Sequence, residues 1–189
     1  TFGLSLISRS EAGLPDADPE ETGVTFEENA FLKAKAAVDG SGMPAIADDS
    51  GLVVDALDGA PGVFSARFST SDPIRNGSET VPETNNEKLL RLLAAVPDAQ
   101  RGARFVCVIV LLWPDGRKIV CSGTCEGRIA RKAAGENGFG YDPLFIPAQY
   151  ERDGLTFAQI PAADKNKISH RAAALLKLKD VLAAENVYS

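Results

Sequence analysis

Apolar and polar positions along the chain alternate between strand-like and helix-like spacing, which predicts interleaved strands and helices. Gly3 to Ser8 alternates weakly and reads as a short strand, and the acidic, proline-containing stretch Glu11 to Gly23 reads as a surface loop. Thr25 followed by Glu28 is a capping box that opens a helix to Asp39, stopped by Gly40 and Gly42. Phe26, Ala30, Ala34, Ala37 and Val38 share its apolar face. Pro44 to Ala47 predicts a short buried strand, Asp48-Asp49-Ser50-Gly51 a polar turn, and Leu52 to Val54 a second strand. Asp58 to Gly62 predicts a tight turn, and Ser69 to Pro82 a loop rich in Ser, Asn, Gly and Pro. Thr84 and Glu87 form a second capping box. Leu89, Leu90, Leu92, Leu93 and Val96 follow at helical spacing until Pro97. Phe105 to Trp113 is a near-continuous apolar run, as in a strand buried on both faces, and Pro114-Asp115-Gly116 turns it back into Lys118 to Cys125. Gly135 to Pro147 is glycine-rich and then apolar. Ser169 to Ala184 reads as a last amphipathic helix with Ala172, Leu175, Leu176 and Leu182 inward. No internal repeat interrupts this order, so the expected class is α/β with a mixed sheet flanked by helices.

Composition narrows the functional classes. The 189 residues, 44% apolar and 24% charged, fit a single globular domain that needs no disulfide or structural metal. Twenty Lys and Arg against twenty-six Asp and Glu give a net charge of −6. That balance argues against binding to nucleic acid or to an anionic membrane surface, while a local cationic cluster still suits a small anionic ligand. No apolar run reaches the ~18–20 residues of a membrane span, and no signal peptide is visible. Cys107, Cys121 and Cys125 are sparse and odd in number, which points to buried thiols in a reducing, cytoplasmic setting. Thr1 stands first and the one methionine is Met43, so translation is expected to begin upstream of this sequence.

Four stretches carry candidate chemistry. Asp48 and Asp49 are adjacent carboxylates, whose repulsion calls for a cation or donor between them. Magnesium suits such a corner, since it takes one or two carboxylates together with waters and phosphate oxygens. A carboxylate beside it can accept a proton from an attacking water. A polar turn with an Asx cap explains the same residues. Glu20 and Glu21 offer a further ligand or simply a solvated loop. The second stretch, Lys165 to Arg171, gathers three cations and the one histidine, His170, at the start of the last helix. Positive charge opposes the dipole there, whereas an anion is favoured by it and by the free N–H groups. A solvated basic turn is the alternative. The third, Gly138-Phe139-Gly140-Tyr141-Asp142-Pro143, lets the backbone approach a planar ligand with Phe139 stacked on it, or forms a β-bulge around a core aromatic. Gly59-Ala60-Pro61-Gly62 with Ser65-Ala66-Arg67 fits either a cleft wall or a structural turn.

In this order and spacing these segments resemble the inosine triphosphate pyrophosphatases, which hydrolyse non-standard purine nucleoside triphosphates. Ala47 to Leu52, Gly59 to Gly62, Ser65 to Arg67, Phe139 to Pro143 and Ser169 to Arg171 carry the resemblance, which runs from about Thr22 to the last helix. It implies an elongated mixed sheet in two lobes with a central cleft, a homodimer, and magnesium-dependent release of pyrophosphate. It further implies Asp49 as general base and metal ligand, Glu20 as a second ligand, and Ser50 in contact with substrate. Phe139, Gly140, Tyr141 and Asp142 would hold the base, Lys165 the phosphates, and His170 with Arg171 the purine 6-position. Arg171 has donors and no acceptor, so it pairs with a 6-oxo group and opposes the 6-amino group of adenine. Such a mismatch in a pocket built for hydrogen bonding can cost ~10⁴–10⁵ in discrimination.

Members of that family open with a strand and a Thr/Ser-x-Asn-x-x-Lys loop around the triphosphate. No segment here matches it, and the expectation is that the sequence begins downstream of it. The alternatives are a nucleotide-binding protein of the same fold with impaired catalysis, and a phosphatase of another phosphorylated metabolite.

Overall fold

Thr25 opens the first helix as its side chain predicts. In the computed structural model, which describes residues 5–15, 17, 19–71, 75–76, 79–80 and 82–185, helix α1 spans Phe26–Ser41. The Thr25 hydroxyl accepts the Glu28 N–H at 3.1 Å, the Glu28 carboxylate accepts the Thr25 N–H at 3.1 Å, and Gly42, at φ +67°, closes the other end. Strand β1 is Ala45–Val54, followed by the short helix α2 (Phe68–Ser71) and the two-residue strands β2 (Arg75–Asn76) and β3 (Glu79–Thr80). Helix α3 (Asn85–Leu92) repeats the capping box with Thr84 and Glu87. Strands β4 (Gly102–Leu112), β5 (Lys118–Ile129) and β6 (Phe145–Pro147) come next, then helices α4 (Ala162–Ile168) and α5 (His170–Ala184). The α/β class is borne out.

The larger sheet has the order β1-β4-β5-β6. β4 and β5 form the expected hairpin, closed by the Trp113 N–H on the Arg117 carbonyl at 2.9 Å. β5 and β6 pair antiparallel, with Arg128 opposite Ile146.

The chain folds into two compact units and passes between them repeatedly. The first holds residues 1–50, 107–123 and 170–189, and the second holds 51–106 and 124–169. In the first unit the apolar run of β4 divides its side chains between two helices. Val110 and Leu112 pack with Ala30, Ala34 and Val38 of α1, while Cys107, Ile109 and Leu111 pack with Ala174, Leu178 and Leu182 of α5. A helix on each face is the physical reason that this run has no polar alternation. In the second unit Phe105, Phe145 and Phe157 form the centre of the core together with Leu52, Leu89, Tyr141, Leu144 and Ile160.

The structure differs from the pattern-based reading in several places. Residues 5–8 form no strand, and Gly3 and Leu4 lie outside the described residues. The stretch expected as a loop from Ser69 contains the β2–β3 pairing, Arg75 opposite Thr80 and Asn76 opposite Glu79. Helix α3 stops at Leu92 rather than Val96. Beyond it the buried Arg101 guanidinium donates to the carbonyls of Leu93, Ile129 and Ala130 at 2.6–2.9 Å, a structural charge held by backbone dipoles. In α5 the inward stripe is His170, Ala174, Leu178 and Leu182, and Leu176 is 59% exposed.

Cys107, Cys121 and Cys125 are all free and buried, the small-hydrophobe role expected for them. Burial pushes the Cys107 thiol up to about 11 and the Cys125 thiol up to about 12. The native protein at pH 8 is therefore expected to resist a thiol-specific reagent at all three positions, and the unfolded chain to react at all three. Rapid native labelling would contradict this burial.

Candidate active site

β1 runs unbroken through Asp48-Asp49-Ser50-Gly51, where the sequence predicted a turn. That single difference resolves the adjacent-carboxylate problem. Successive side chains of a strand point to opposite faces, so Asp48 and Asp49 diverge and each meets its own cation. On one face Lys33 of α1 donates to Asp49 Oδ1 at 2.8 Å and also meets Glu21 Oε1 at 2.6 Å. Asn29, fully buried on the same helix, donates to Asp49 Oδ2 at 3.4 Å and accepts the Gly23 N–H at 2.8 Å, tying the acidic loop to the strand. On the other face Arg171, in the first turn of α5, donates through Nη2 at 2.7 Å and Nε at 3.3 Å to Asp48 Oδ2. Ser50 Oγ, two positions along the strand, and Cys107 Sγ donate to the same oxygen.

The two carboxylates differ electrostatically. Burial raises Asp49 above its ordinary value, Lys33 pulls it back, and the nearby Glu21 charge adds to the rise. Burial would also raise Asp48, but the Arg171 bond and charge, helped by Ser50, carry it below its ordinary value. Burial disfavours the Lys33 ammonium, and its two acidic partners outweigh that and hold it charged. Asp49 is thus the better proton acceptor and Asp48 a fixed anion.

Within the second unit, the turn at 136–144 presents Phe139 to solvent, 73% exposed, and buries Tyr141 and Asp142. Gly138, at φ +79°, leaves room for the Asp142 carboxylate, which lies where a side chain would start and accepts the Phe139 N–H at 2.8 Å. Lys165 in α4 pairs with that carboxylate, its Nζ 5.1 Å from the centre of the Phe139 ring. The Tyr141 hydroxyl donates to the Ser65 carbonyl at 2.9 Å, and Asn86 donates to the Gly140 carbonyl at 3.0 Å. Ser65 Oγ accepts the Leu52 N–H and donates to the Gly62 carbonyl, so it serves the scaffold. An exposed aromatic edge beside a cation and a buried carboxylate is suited to a flat, polar ring.

Residues 4–181 match the family model described as the Ham1 family. This chain belongs to the Ham1 family. It is 49% identical over 184 residues to a Salmonella paratyphi A protein named dITP/XTP pyrophosphatase, a match covering 96% of this chain and 87% of that one. A Haemophilus influenzae protein of the same name is 49% identical over 183 residues, with 96% and 88% covered. The Ham1 protein of Coxiella burnetii superposes with a TM-score of 0.77 at 42% identity, covering 93% of this chain and 84% of that one. The Staphylococcus aureus Ham1 protein gives 0.76 at 46% identity, with 90% and 83% covered.

Against this Ham1 fold, the residues singled out from the sequence fall into two groups. Asp49, Ser50, His170 and Arg171 belong to the first unit; Phe139, Gly140, Tyr141, Asp142 and Lys165 belong to the second. His170 is buried at the start of α5. Ser50 directs its hydroxyl to Asp48. Lys165 and Lys167 do not sit at a helix N-terminus as expected: they occupy the last turn of α4, where positive charge is favourable, and the chain breaks at Ser169 before α5 begins. Glu20 is exposed, and the acid that reaches Lys33 is Glu21. Lys33 and Asn29 were missed. Lys33 and Asn29 carried a usable signal: they lie four apart in α1, so they share a helix face, one that borders the apolar stripe.

Two carboxylates, Asp49 and Glu21, share one cation in Lys33, and among the described residues no group of three or more His, Cys, Asp or Glu gathers to hold a metal alone. That donor set fits magnesium, which completes its shell from water and phosphate.

Proposed function

We propose that this chain hydrolyses non-standard purine nucleoside triphosphates such as inosine, deoxyinosine and xanthosine triphosphate to the monophosphate and pyrophosphate, removing them from the nucleotide pool. The observation that carries it is the divergence of Asp48 and Asp49 on β1, one acid facing Lys33 and Glu21 and the other holding Arg171. The Ham1 relatives named as pyrophosphatases support the same reading.

Asp49 acts as general base. Its Oδ1 is anchored by Lys33, while among the described residues Oδ2 has only the long Asn29 bond, which leaves it able to take a proton. The attacking water gives that proton to Oδ2 as its oxygen bonds to the α-phosphorus. The bond from the α-phosphorus to the bridging oxygen breaks, and pyrophosphate leaves with the electron pair. Asp49 and Glu21 are the proposed magnesium ligands, and the ion supplies neutralisation of phosphate charge when bound. Lys165 contributes a cation for the phosphates. Phe139 stacks on the purine, with Gly140, Tyr141 and Asp142 shaping the backbone beneath it, and Arg171 with His170 meets the 6-oxo group. Ser50 keeps Asp48 in register. Most of the rate comes from positioning and charge, as expected when the chemistry is a phosphoryl-type displacement.

Residues 1–189 are taken as one pyrophosphatase domain acting as a homodimer in the cytoplasm, a reading supported by the Ham1 resemblance and the reduced, buried thiols. Among the described residues no helix is long and apolar enough to cross a membrane. The deciding experiment incubates the protein with inosine triphosphate and magnesium and identifies the products. Inosine monophosphate with pyrophosphate is expected; the diphosphate with orthophosphate would redirect the assignment to a phosphatase.

A further inference from the structure

Asp48 sits beside the proposed base yet takes no part in the chemistry assigned to it. Its Oδ2 atom gathers four donors: Arg171 Nη2 at 2.7 Å, Ser50 Oγ at 2.9 Å, Arg171 Nε at 3.3 Å and Cys107 Sγ at 3.6 Å. Ser50 lies on the same strand, and Cys107 is fully buried on β4, so the sheet itself holds the carboxylate in place. Arg171 has a different character. Its side chain is 44% exposed, and a free arginine there would lose considerable rotamer entropy on gripping a ligand.

A guanidinium has two usable donor edges. The Nε/Nη2 edge is spent on Asp48, which leaves the Nη1 side and the remaining Nη2 hydrogen available to another acceptor on a side chain that is partly exposed. The carboxylate also neutralises most of the positive charge. A paired guanidinium attracts a phosphate less strongly than a bare one, while its N–H groups still donate to a neutral carbonyl.

We propose that Asp48 is the positioning residue for base selection: it fixes Arg171 and spends its charge, so that the free donor edge reads the neutral 6-oxo group of a purine instead of seizing a phosphate. This rests on the assignment of Arg171 to the 6-position made above.

The test is steady-state kinetics on the full chain with inosine triphosphate and adenosine triphosphate, for Asp48→Asn, Arg171→Ala and the double variant. Asp48→Asn is expected to raise KM for inosine triphosphate by about tenfold, with a fall in kcat of less than about threefold, as for one charged hydrogen bond lost in the bound state. The preference for inosine over adenosine triphosphate then falls by about tenfold as well. In the Arg171→Ala background, adding Asp48→Asn should change that preference by less than about twofold, because the two residues act as one unit. Equal losses of kcat with both substrates, or losses that add fully in the double variant, would overturn the inference. Asp48→Glu keeps the charge and shifts the carboxylate by one methylene, so it should lose preference too; full retention counts against a positioning role, even if Asp48→Asn folds poorly. Should Arg171→Ala alone leave the preference intact, the assignment of Arg171 falls, and this inference with it. Should Arg171→Ala abolish the preference while Asp48→Asn does not, only the inference about Asp48 falls.

Discussion

Asp49→Asn is expected to lower turnover of inosine triphosphate by about 10³-fold, within the range that a positioned general base contributes, while equilibrium binding of the nucleotide stays within about tenfold. Asparagine preserves the size of the side chain, and its amide oxygen can still accept the Lys33 bond that Oδ1 accepts now. What disappears is the ability to receive a proton and the negative charge that Asp49 sets against Lys33. The geometry survives and the chemistry does not. The binding groups proposed above, Arg171 and the Phe139 turn among them, lie elsewhere in the chain, so binding should outlast catalysis. A variant that turns over substrate at near the parent rate would remove Asp49 as the base and, with it, the central step of the proposed mechanism. A variant that neither binds nor melts cooperatively would report a folding defect, which a thermal scan alongside the binding measurement identifies.

Gly123→Ala is expected to cost about 2 kcal/mol of stability and about 10²-fold in kcat/KM for inosine triphosphate. Gly123 lies on β5 against the first turn of α5, and a Cβ there would collide with the His170 carbonyl and the Ala174 N–H. Neither atom is the end of a flexible side chain. The helix must retreat by on the order of 1 Å before the contact becomes an ordinary one at ~3.5–4 Å. That helix turn carries His170 and Arg171, so a displacement there moves the Arg171 donors relative to Asp48. Urea unfolding measures the first loss and steady-state kinetics the second. Parent-like stability together with parent-like kcat/KM would show that α5 is not seated against Gly123.

Some of this was legible along the chain. Both capping boxes are closed by bonds between residues three apart, so Thr25 with Glu28 and Thr84 with Glu87 could be read without any fold. The β4–β5 hairpin and the double burial of β4 followed from turn residues and a long apolar run. The membership of the Ham1 family was visible in the order of the short motifs. The acidic segment misled, because polar residues at 48–51 break the apolar pattern that marks a strand. Their partners, which make those polar residues tolerable there, lie in two helices, Lys33 some 16 positions from Asp49 and Arg171 some 123 positions from Asp48. Glu20 and Glu21 are indistinguishable by composition, and only the path of the loop delivers Glu21 to Lys33. The break at Ser169 was hidden for a similar reason: α4 and α5 read as one basic helix start until the backbone places Lys165 at an end and Arg171 at a beginning.

The division has a physical cause. Helix starts, turns and the sidedness of apolar runs arise from interactions among near neighbours, and the chain states them openly. Which carboxylate keeps its charge, which one is poised to take a proton, and which arginine edge is left free depend on desolvation and on cations brought from distant segments. Those quantities exist only once β1 lies between α1 and α5 and each of its two acids has met its own base.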